Sequence, residues 1–263
     1  MLATIVLSIC LRHFYHAAVF CLVCAISLSS YPVIAEIQRL RLAVEPSPPF
    51  SHIDDEGVVT GLEVDIADAL ATEMGTLLET VACPWARCLK MAEQGDVDIV
   101  IGLSKTSARE QKFVFLDPPF ISSILEISAY QRADARFDVS SLADFRALKV
   151  GVQRGAVHFK AFDNDPLITK IYVKDIQSLF NMLLVGRVDV FLMPTVAANE
   201  YLFEFDTENE IKRASFTQHI DQGGYIAVSK KSPLIENLET LQQVLGNLKS
   251  TGKLETILNK YNL

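Results

Sequence analysis

The segment GLSKTSARE places a glycine, two serines, a threonine, a lysine and an arginine directly after an apolar run, DVDIVI. A buried strand that ends in such residues has two explanations. Either they form a solvated loop, with Arg109 paired to Glu110 or Asp117, or they bind the anionic group of a ligand. A guanidinium is a planar fork that matches a carboxylate in two hydrogen bonds. The position of the segment after a strand end favours a binding site.

The length and the net charge of the chain limit the functions that it can have. The chain has 263 residues, half of them hydrophobic, which is enough for a packed core in one domain or two modest lobes. Its formal net charge is −8, and it contains no basic run. Because phosphate binding needs clustered Lys and Arg, we expect no nucleic-acid partner.

The first 35 residues have the composition of a secretory signal peptide. Arg12 is their only formally charged side chain, an apolar run covers residues 17–28, and the small residue Ala35 precedes Glu36. We therefore predict a signal peptide over residues 1–35 and a periplasmic protein. The alternative is an uncleaved membrane anchor, for which the apolar run is short.

Two cysteines follow this segment, Cys83 and Cys88. An even number of cysteines in an oxidising compartment favours a disulfide over two free thiols. Inside one helix the two residues would lie too far apart to bridge, but a helix that opens at Pro84 lets Cys83 fold back toward Cys88. Metal binding is not expected, because no His or further Cys lies nearby.

Strand and helix patterns alternate in two successive units. The predicted strands cover residues 39–44, 77–82, 97–103, 122–130, 148–153, 170–173, 188–193 and 223–230. Helix patterns fill most of the intervals, and the first two open near Gly61 and Pro84. This alternation predicts an α/β protein with two mostly parallel sheets, each flanked by helices. We expect the strands at 122–130 and 223–230 to mark the crossovers between the sheets.

Ligands of open parallel sheets bind beyond the carboxyl ends of the strands. The segment that contains Arg109 lies at such an end, and so do the turns RGAVH and PTVAA. These turns add Gly155, Ala156 and Thr195 to the candidate ligand contacts. Glu45 ends the first strand and is a further candidate.

The order of the segments resembles that of the family 3 extracellular solute-binding proteins, the periplasmic receptors of polar amino-acid ABC transporters. The matching pieces are PPF, GLEVDIADALATEMG, QGDVDIVIGLSKTSARE, FVFLDPPF, SLADFRALKVGVQRG, LLVGRVDVFLMPTVAA and LGNLKSTGKLETILNKY. The resemblance implies a two-lobed periplasmic-binding-protein fold of type II, with two crossover strands as its hinge. It places lobe 1 at residues 36–128 and 223–263, and lobe 2 at residues 129–222.

The resemblance also implies roles for single residues. In the family, the arginine at the position of Arg109 holds the carboxylate of the ligand. Ser104 then donates its hydroxyl to the same group, and Gly102 leaves room for the ligand. Phe50 and Trp85 line the cleft, although ordinary core packing explains either side chain as well.

The sequence departs from the family pattern in the second lobe. Amino-acid receptors of the family hold the ligand's ammonium group with an acidic residue, and Pro194 stands at that position here. Ala156 and Val157 replace the usual hydroxyl residues. Because a buried ammonium needs a partner, we expect an organic acid or an amino-acid derivative rather than a conventionally bound amino acid. Glu45, from the other lobe, is an alternative acid for an ammonium group.

We therefore predict a monomeric binding protein that captures a small solute with a carboxylate and delivers it to an ABC permease or a membrane sensor. No cofactor is expected. The first alternative is an enzyme on the same fold, similar to cyclohexadienyl dehydratase. The second is an interaction module that has lost its ligand.

Overall fold

The computed structural model describes residues 39–121, 125–206, 208–220 and 223–263. The predicted signal peptide, residues 1–35, lies outside this part of the chain. Among the described residues, no helix combines the length and the apolar character that a membrane span requires.

The first sheet contains five strands. They are β1 (Arg39–Val44), β4 (Leu77–Ala82), β5 (Ile99–Leu103), β6 (Phe113–Phe115) and β12 (Tyr225–Ser229). Their order is β4-β1-β5-β12-β6. β1 pairs in parallel with β4 and β5, whereas β12 runs antiparallel to both β5 and β6. A small separate hairpin pairs β2 (His52–Ile53) with β3 (Val59–Thr60).

Five helices accompany the first sheet. They are α1 (Leu62–Glu73), α2 (Trp85–Gln94), α3 (Ser107–Glu110), α7 (Leu238–Ser250) and α8 (Lys253–Lys260). The apolar residues of α1 recur at helical spacing, and Leu62, Ile66 and Leu70 are fully buried. Gly95 ends α2 in the left-handed conformation, which favours glycine.

The second sheet also contains five strands. They are β7 (Leu125–Arg132), β8 (Lys149–Gln153), β9 (Thr169–Val173), β10 (Val190–Pro194) and β11 (Ile211–Ile220), in the order β11-β7-β10-β8-β9. β8 pairs in parallel with β9 and β10, and β7 runs antiparallel to β10 and β11. A 3₁₀ turn at Leu142–Ala147 and three helices flank the sheet: α4 (Lys160–Asp163), α5 (Ile176–Leu184) and α6 (Thr195–Phe205).

The two sheets define two lobes, each with its own apolar core. We term residues 39–121 and 223–263 the first lobe and residues 125–220 the second lobe. The predicted two-lobed α/β fold is confirmed, and each sheet proves to be mixed, with a parallel half and an antiparallel half.

The described chain of the first lobe stops at Ile121 and resumes at Gly223, next to the two predicted crossover strands. Ile121 and Gly224 pair side by side there in an isolated antiparallel bridge. The strands themselves, β7 and β12, each pair within one sheet only. Since β7 already belongs to the second sheet from Leu125, a boundary at residue 128 would cut it. We propose that the second lobe begins before Leu125.

Candidate ligand-binding cavity

A cavity of about 200 Å³ lies between the lobes and is lined by residues of both. Its size suits a small solute, since pockets for drug-sized ligands run to about 300–1,000 Å³. Seven of the nine predicted ligand contacts line this cavity: Glu45, Phe50, Trp85, Gly102, Ser104, Arg109 and Ala156. The other two, Gly155 and Thr195, are not among its lining residues.

The Arg109 side chain reaches the cavity from α3. Thr106 caps that helix and accepts a hydrogen bond from the backbone N–H of Arg109 at 3.3 Å. The guanidinium donates from Nη1 to the carbonyl of Ser104 at 2.9 Å and from Nη2 to the carbonyl of Gly155 at 3.0 Å. Gly155 thus contacts Arg109 through its backbone, although it does not line the cavity.

Arg109 has no carboxylate partner among the described residues. Burial lowers the pKa of its guanidinium to about 10, and the charge of Asp163 offsets only part of this effect. In a solvated loop, Arg109 would pair with Glu110 or Asp117. Lys105 forms these ion pairs instead. Its ammonium lies 3.2 Å from Asp117 and 3.9 Å from Glu110. Arg109 is therefore a desolvated cation with further donors for an anion.

Glu45 forms the acidic counterpart at the end of β1. Its carboxylate accepts the backbone N–H of Trp85 at 2.9 Å, at the start of α2. It also accepts the Gln153 amide of the second lobe, with both oxygens 2.7 Å from Nε2. Burial raises the pKa of Glu45, and these two hydrogen bonds oppose the shift. No Lys or Arg in the described chain forms an ion pair with Glu45.

The predicted disulfide between Cys83 and Cys88 is confirmed, with the two Cα atoms 5.4 Å apart. Cys83 directly follows β4, and Cys88 lies in the second turn of α2. The disulfide therefore stabilises the turn from which the backbone N–H of Trp85 donates to Glu45. On the facing lobe, Gly155 adopts a φ of +85°, and a Cβ there would lie 3.4 Å from Cδ1 of Trp85.

Glu63 is a cavity residue that the sequence did not single out. It lies in the first turn of α1, where its backbone N–H donates to the Phe50 carbonyl at 2.9 Å. Acidic residues are common in the first turn of a helix, because they interact favourably with the helix dipole. The residue type of Glu63 therefore did not indicate a ligand contact. The side chain lies against Gly102, where a Cβ would approach Oε1 of Glu63 to 3.1 Å.

The Glu63 carboxylate lines the cavity without a protein partner. Within the described residues, no hydrogen bond or ion pair reaches it. Burial raises its pKa to about 8, and the neighbouring charge of Glu45 adds to the shift. At neutral pH this carboxyl group is therefore mostly protonated.

The second lobe contributes mainly uncharged surface to the cavity. Pro194, Ala156 and Val157 line it where the family pattern has acidic and hydroxyl residues. Gln153 is 8% exposed and His158 is 7% exposed. The imidazole Nδ1 of His158 lies 3.4 Å from Asp163, and Arg154 is exposed outside the cavity lining.

Thr195 faces away from the cavity. Its hydroxyl donates to the carboxylate of Glu126 at 2.8 Å and lies 2.8 Å from the hydroxyl of Ser128. The strand end that positions Thr195 was predicted correctly, but the first turn of α6 directs its side chain toward β7. Its neighbour Pro194 lines the cavity instead.

A comparison with models of known protein families identifies the family of this chain. The model for bacterial extracellular solute-binding proteins, family 3, matches residues 40–263. The chain belongs to this family. The resemblance predicted from the sequence is thereby confirmed, and so is the general function of a solute-binding protein.

This family 3 protein is similar to named relatives over most of their length. It is 25% identical over 237 residues to the arginine-binding periplasmic protein of Mannheimia haemolytica, covering 87% of this chain and 93% of the relative. It is 24% identical over 227 residues to the L-cystine-binding protein TcyJ of Escherichia coli K12, covering 81% and 78%. A solved ancestral arginine-binding protein bound to arginine superposes with a TM-score of 0.74 and 25% identity, covering 87% of this chain and all of that one.

Among the described residues, three pairs of residues form hydrogen bonds between the lobes of this solute-binding protein across the cleft. Arg109 bonds Gly155 and Gln153 bonds Glu45, as described above. In the third, the hydroxyl of Tyr201 donates to the Pro46 carbonyl at 2.9 Å. Burial raises the pKa of Tyr201, so this phenol remains a neutral donor. The structure is thus a closed arrangement in which both lobes contact a common cavity.

Proposed function

We propose that the protein captures a small carboxylate-bearing solute, either an amino acid, an amino-acid derivative or an organic acid, in the cavity between its lobes. Arg109 anchors the carboxylate, and Ser104 and Gly102 shape the surface beside it. The single observation that carries this proposal is a half-buried guanidinium with no carboxylate partner among the described residues.

The energetic argument concerns desolvation. A cation removed from water without a counter-ion is costly, and its lowered pKa reflects this cost. A ligand carboxylate supplies the missing negative charge and accepts charge-assisted hydrogen bonds. Each such bond contributes about 1.5–3 kcal/mol. The same reasoning favours a ligand site over an interaction module that has lost its solute.

Lobe closure is the second element of the proposal. A ligand shifts an open–closed equilibrium only if it binds the closed state more tightly. A solute between Arg109 and Gln153 contacts both lobes and meets this condition. The closed protein then delivers its solute to an ABC permease or a membrane sensor.

Location and assembly are inferred from the relatives and from the sequence. The relative from Mannheimia haemolytica is named as periplasmic, which supports a periplasmic location for this protein as well. We propose that it acts there as a monomer. The relatives named above are binding proteins, which favours binding over the alternative of an enzyme on the same fold.

The test begins with the ligand itself. Mass spectrometry identifies small molecules released from the purified protein, and thermal shift measures stabilisation by each candidate. A ligand at a hundredfold excess over its Kd should stabilise the fold by about 2.7 kcal/mol.

The Arg109→Ala variant should lose about 2–4 kcal/mol of binding free energy, because one or two charge-assisted hydrogen bonds disappear. Arg109→Lys keeps the charge but not the planar fork, so it should recover only part of the affinity. The control is Arg154→Ala, which removes an exposed arginine of the second lobe. Unchanged affinity in Arg109→Ala, measured by calorimetry, would refute the proposal.

A further inference from the structure

A second cavity, which we term the side cavity, lies next to the ligand cavity and has a volume of about 530 Å³. Thr106 and Ser107 line it from the first lobe, and its other lining residues belong to the second lobe. Ala156, Val157 and His158 line both cavities, so the two share one wall. The volume lies within the range of cavities that bind small organic molecules, about 300–1,000 Å³. A molecule in the side cavity would therefore contact both lobes at a place separate from the ligand cavity.

Two lysines bring positive charge to the side cavity. Lys160 is an exposed residue at the start of α4, and its ammonium forms no hydrogen bond or ion pair with the described residues. Lys170 extends from β9, and its ammonium donates to the backbone carbonyls of Asp163 and Asp165 at 3.2 and 3.1 Å. Because these carbonyls carry no formal charge, neither lysine has a carboxylate partner in the part of the chain that the structure describes.

Within the described chain, one carboxylate lines the side cavity, and it already has a partner. Asp163 accepts the backbone N–H of His158 at 3.0 Å and lies 3.4 Å from Nδ1 of the same residue. The nearby carboxylate of Asp165 is bonded by Arg146 at 3.0 Å. The lining of the side cavity thus has a net positive charge.

Hydroxyl and amide groups add uncharged donors to this lining. The hydroxyl of Thr106 accepts the backbone N–H of Arg109 at 3.3 Å, which leaves its proton available to another acceptor. The exposed side chains of Ser107 and Asn164 provide a second hydroxyl and an amide. Phosphate, sulfate and carboxylate groups accept hydrogen bonds from such donors and stronger, charge-assisted ones from ammonium groups.

We propose that the side cavity binds a small multivalent anion, whose phosphate, sulfate or carboxylate groups share this chemistry, and that the anion favours the closed arrangement of the lobes. Lys160 and Lys170 supply the positive charge from the second lobe, and Ser107 supplies a hydroxyl from the first. The side cavity is separate from the cavity that takes the carboxylate-bearing solute, so the inference goes beyond the proposed function.

The effect on closure follows from the division of these groups between the lobes. Ser107 lies in α3, the helix that carries Arg109, whereas both lysines lie in the second lobe. Opening of the cleft would separate them, so the anion binds the closed state more tightly and shifts the equilibrium toward it. By linkage, the anion and a solute in the ligand cavity then raise each other's affinity.

The first experiment measures anion binding by calorimetry. Phosphate, sulfate and citrate are each titrated into the protein at constant ionic strength, which is set with chloride. We expect at least one of them to bind at millimolar concentration or below, because charge-assisted hydrogen bonds strengthen the attraction to the lysines. The ranking of the three distinguishes an inorganic oxyanion from a polycarboxylate. Failure of all three to bind would overturn the inference.

The Lys160→Gln variant should weaken anion binding by at least about tenfold, because it removes a charge-assisted contact. Lys170→Gln should act in the same direction. Since the Lys170 ammonium also bonds two carbonyls, thermal unfolding checks that this variant folds, and Lys170→Arg, which keeps the charge, should retain most of the affinity.

The matched control is Lys174→Gln, which removes an exposed lysine of the same lobe that does not line the side cavity. It should change the affinity for the anion by less than about twofold. An equal loss in Lys174→Gln and in Lys160→Gln would mean that the anion only screens surface charge, and the proposed site would then be wrong.

Two further variants locate the anion. Ser107→Ala removes the first-lobe hydroxyl and should weaken binding by about twofold to tenfold; an unchanged affinity would place the anion on the second lobe alone and refute its effect on closure. Arg109→Ala should weaken binding by less than about threefold, because Arg109 does not line the side cavity. A much larger loss there, with none in Lys160→Gln, would place the anion in the ligand cavity and contradict the inference.

Small-angle X-ray scattering tests the effect on closure directly. The most tightly bound of the three anions should decrease the radius of gyration of the wild type. At the same concentration it should leave that of Lys160→Gln unchanged. Binding without any change in the radius of gyration of the wild type would refute the link to closure.

The inference and the proposed function can fail separately. Failure of phosphate, sulfate and citrate to bind refutes the inference and leaves the solute site at Arg109 intact. Unchanged solute affinity in Arg109→Ala refutes the proposed function, while anion binding that depends on Lys160 and Lys170 would still support the side cavity as a site.

Discussion

The two walls of the cavity differ in charge. The first lobe supplies every formally charged side chain that lines it within the described chain, namely Glu45, Glu63 and Arg109. The second lobe supplies the Gln153 amide, the His158 imidazole and apolar surface. The first-lobe wall thus carries formal charges of both signs, and the second-lobe wall carries none.

We expect the first lobe to recognise the solute and the second lobe to enclose it. We expect a solute to bind the first lobe through its charges before the cleft closes. The second lobe then adds hydrogen bonds to first-lobe groups, from Gln153 to Glu45 and from Tyr201 to Pro46. Changes in the first lobe should alter which solute binds, while changes in the second lobe should alter how firmly any solute is enclosed.

The largest effect is expected when a substitution introduces a charged side chain into the second-lobe wall of the cavity. In Gln153→Glu, a second carboxylate meets Glu45 where an amide now lies 2.7 Å away. Like charges at such a distance cost several kcal/mol, so the affinity for every solute should fall about 100-fold by calorimetry. The loss should shrink at acidic pH, where one carboxylate takes up a proton. Gln153→Met, which removes the bond without adding charge, should show a smaller loss without this pH dependence.

A smaller effect is expected for Tyr201→Phe. The substitution removes one interlobe hydrogen bond to the Pro46 carbonyl, worth about 0.5–1.5 kcal/mol. Affinity should fall about twofold to tenfold, by the same factor for different solutes, because Tyr201 does not line the ligand cavity. A change in the ranking of solutes would mean that this phenol contacts the ligand.

The smallest effect is expected for Thr195→Val. The Thr195 hydroxyl bonds Glu126 within the second lobe and not the cavity. The free energy of unfolding should decrease by about 1 kcal/mol, while affinity changes by less than about twofold. A larger loss of affinity would show that Thr195 contacts the ligand, as its position at a strand end predicted.

Much of the fold was predictable because its strands are apolar and its helices open at recognisable residues. The first strand was predicted at 39–44 and is observed at Arg39–Val44. The strand β11 was missed, since its sequence IKRASFTQHI mixes buried and exposed residues without regular alternation. Its pairing with β7 stabilises a polar segment whose local sequence favours no strand.

The cavity was only partly predictable. Arg109 was found because a motif and a strand end coincide there. Glu63 was not found, because an acid in the first turn of α1 has an ordinary structural explanation. Gln153 directly precedes a recognised turn, yet nothing in its type indicates that it bonds an acid of the other lobe. Both residues acquire their roles through neighbours distant in the chain.

Most strands and helices, the family, the disulfide partners and the candidate role of Arg109 were predictable from the sequence. Local periodicity indicated the strands and helices, the order of the segments indicated the family, and residue types at strand ends indicated Cys83, Cys88 and Arg109. The folded structure was needed to show which acids line the same cavity as Arg109. Burial and the nearby charge of Glu45, which raise the pKa of Glu63, come from residues distant in the chain, and no local sequence pattern encodes them.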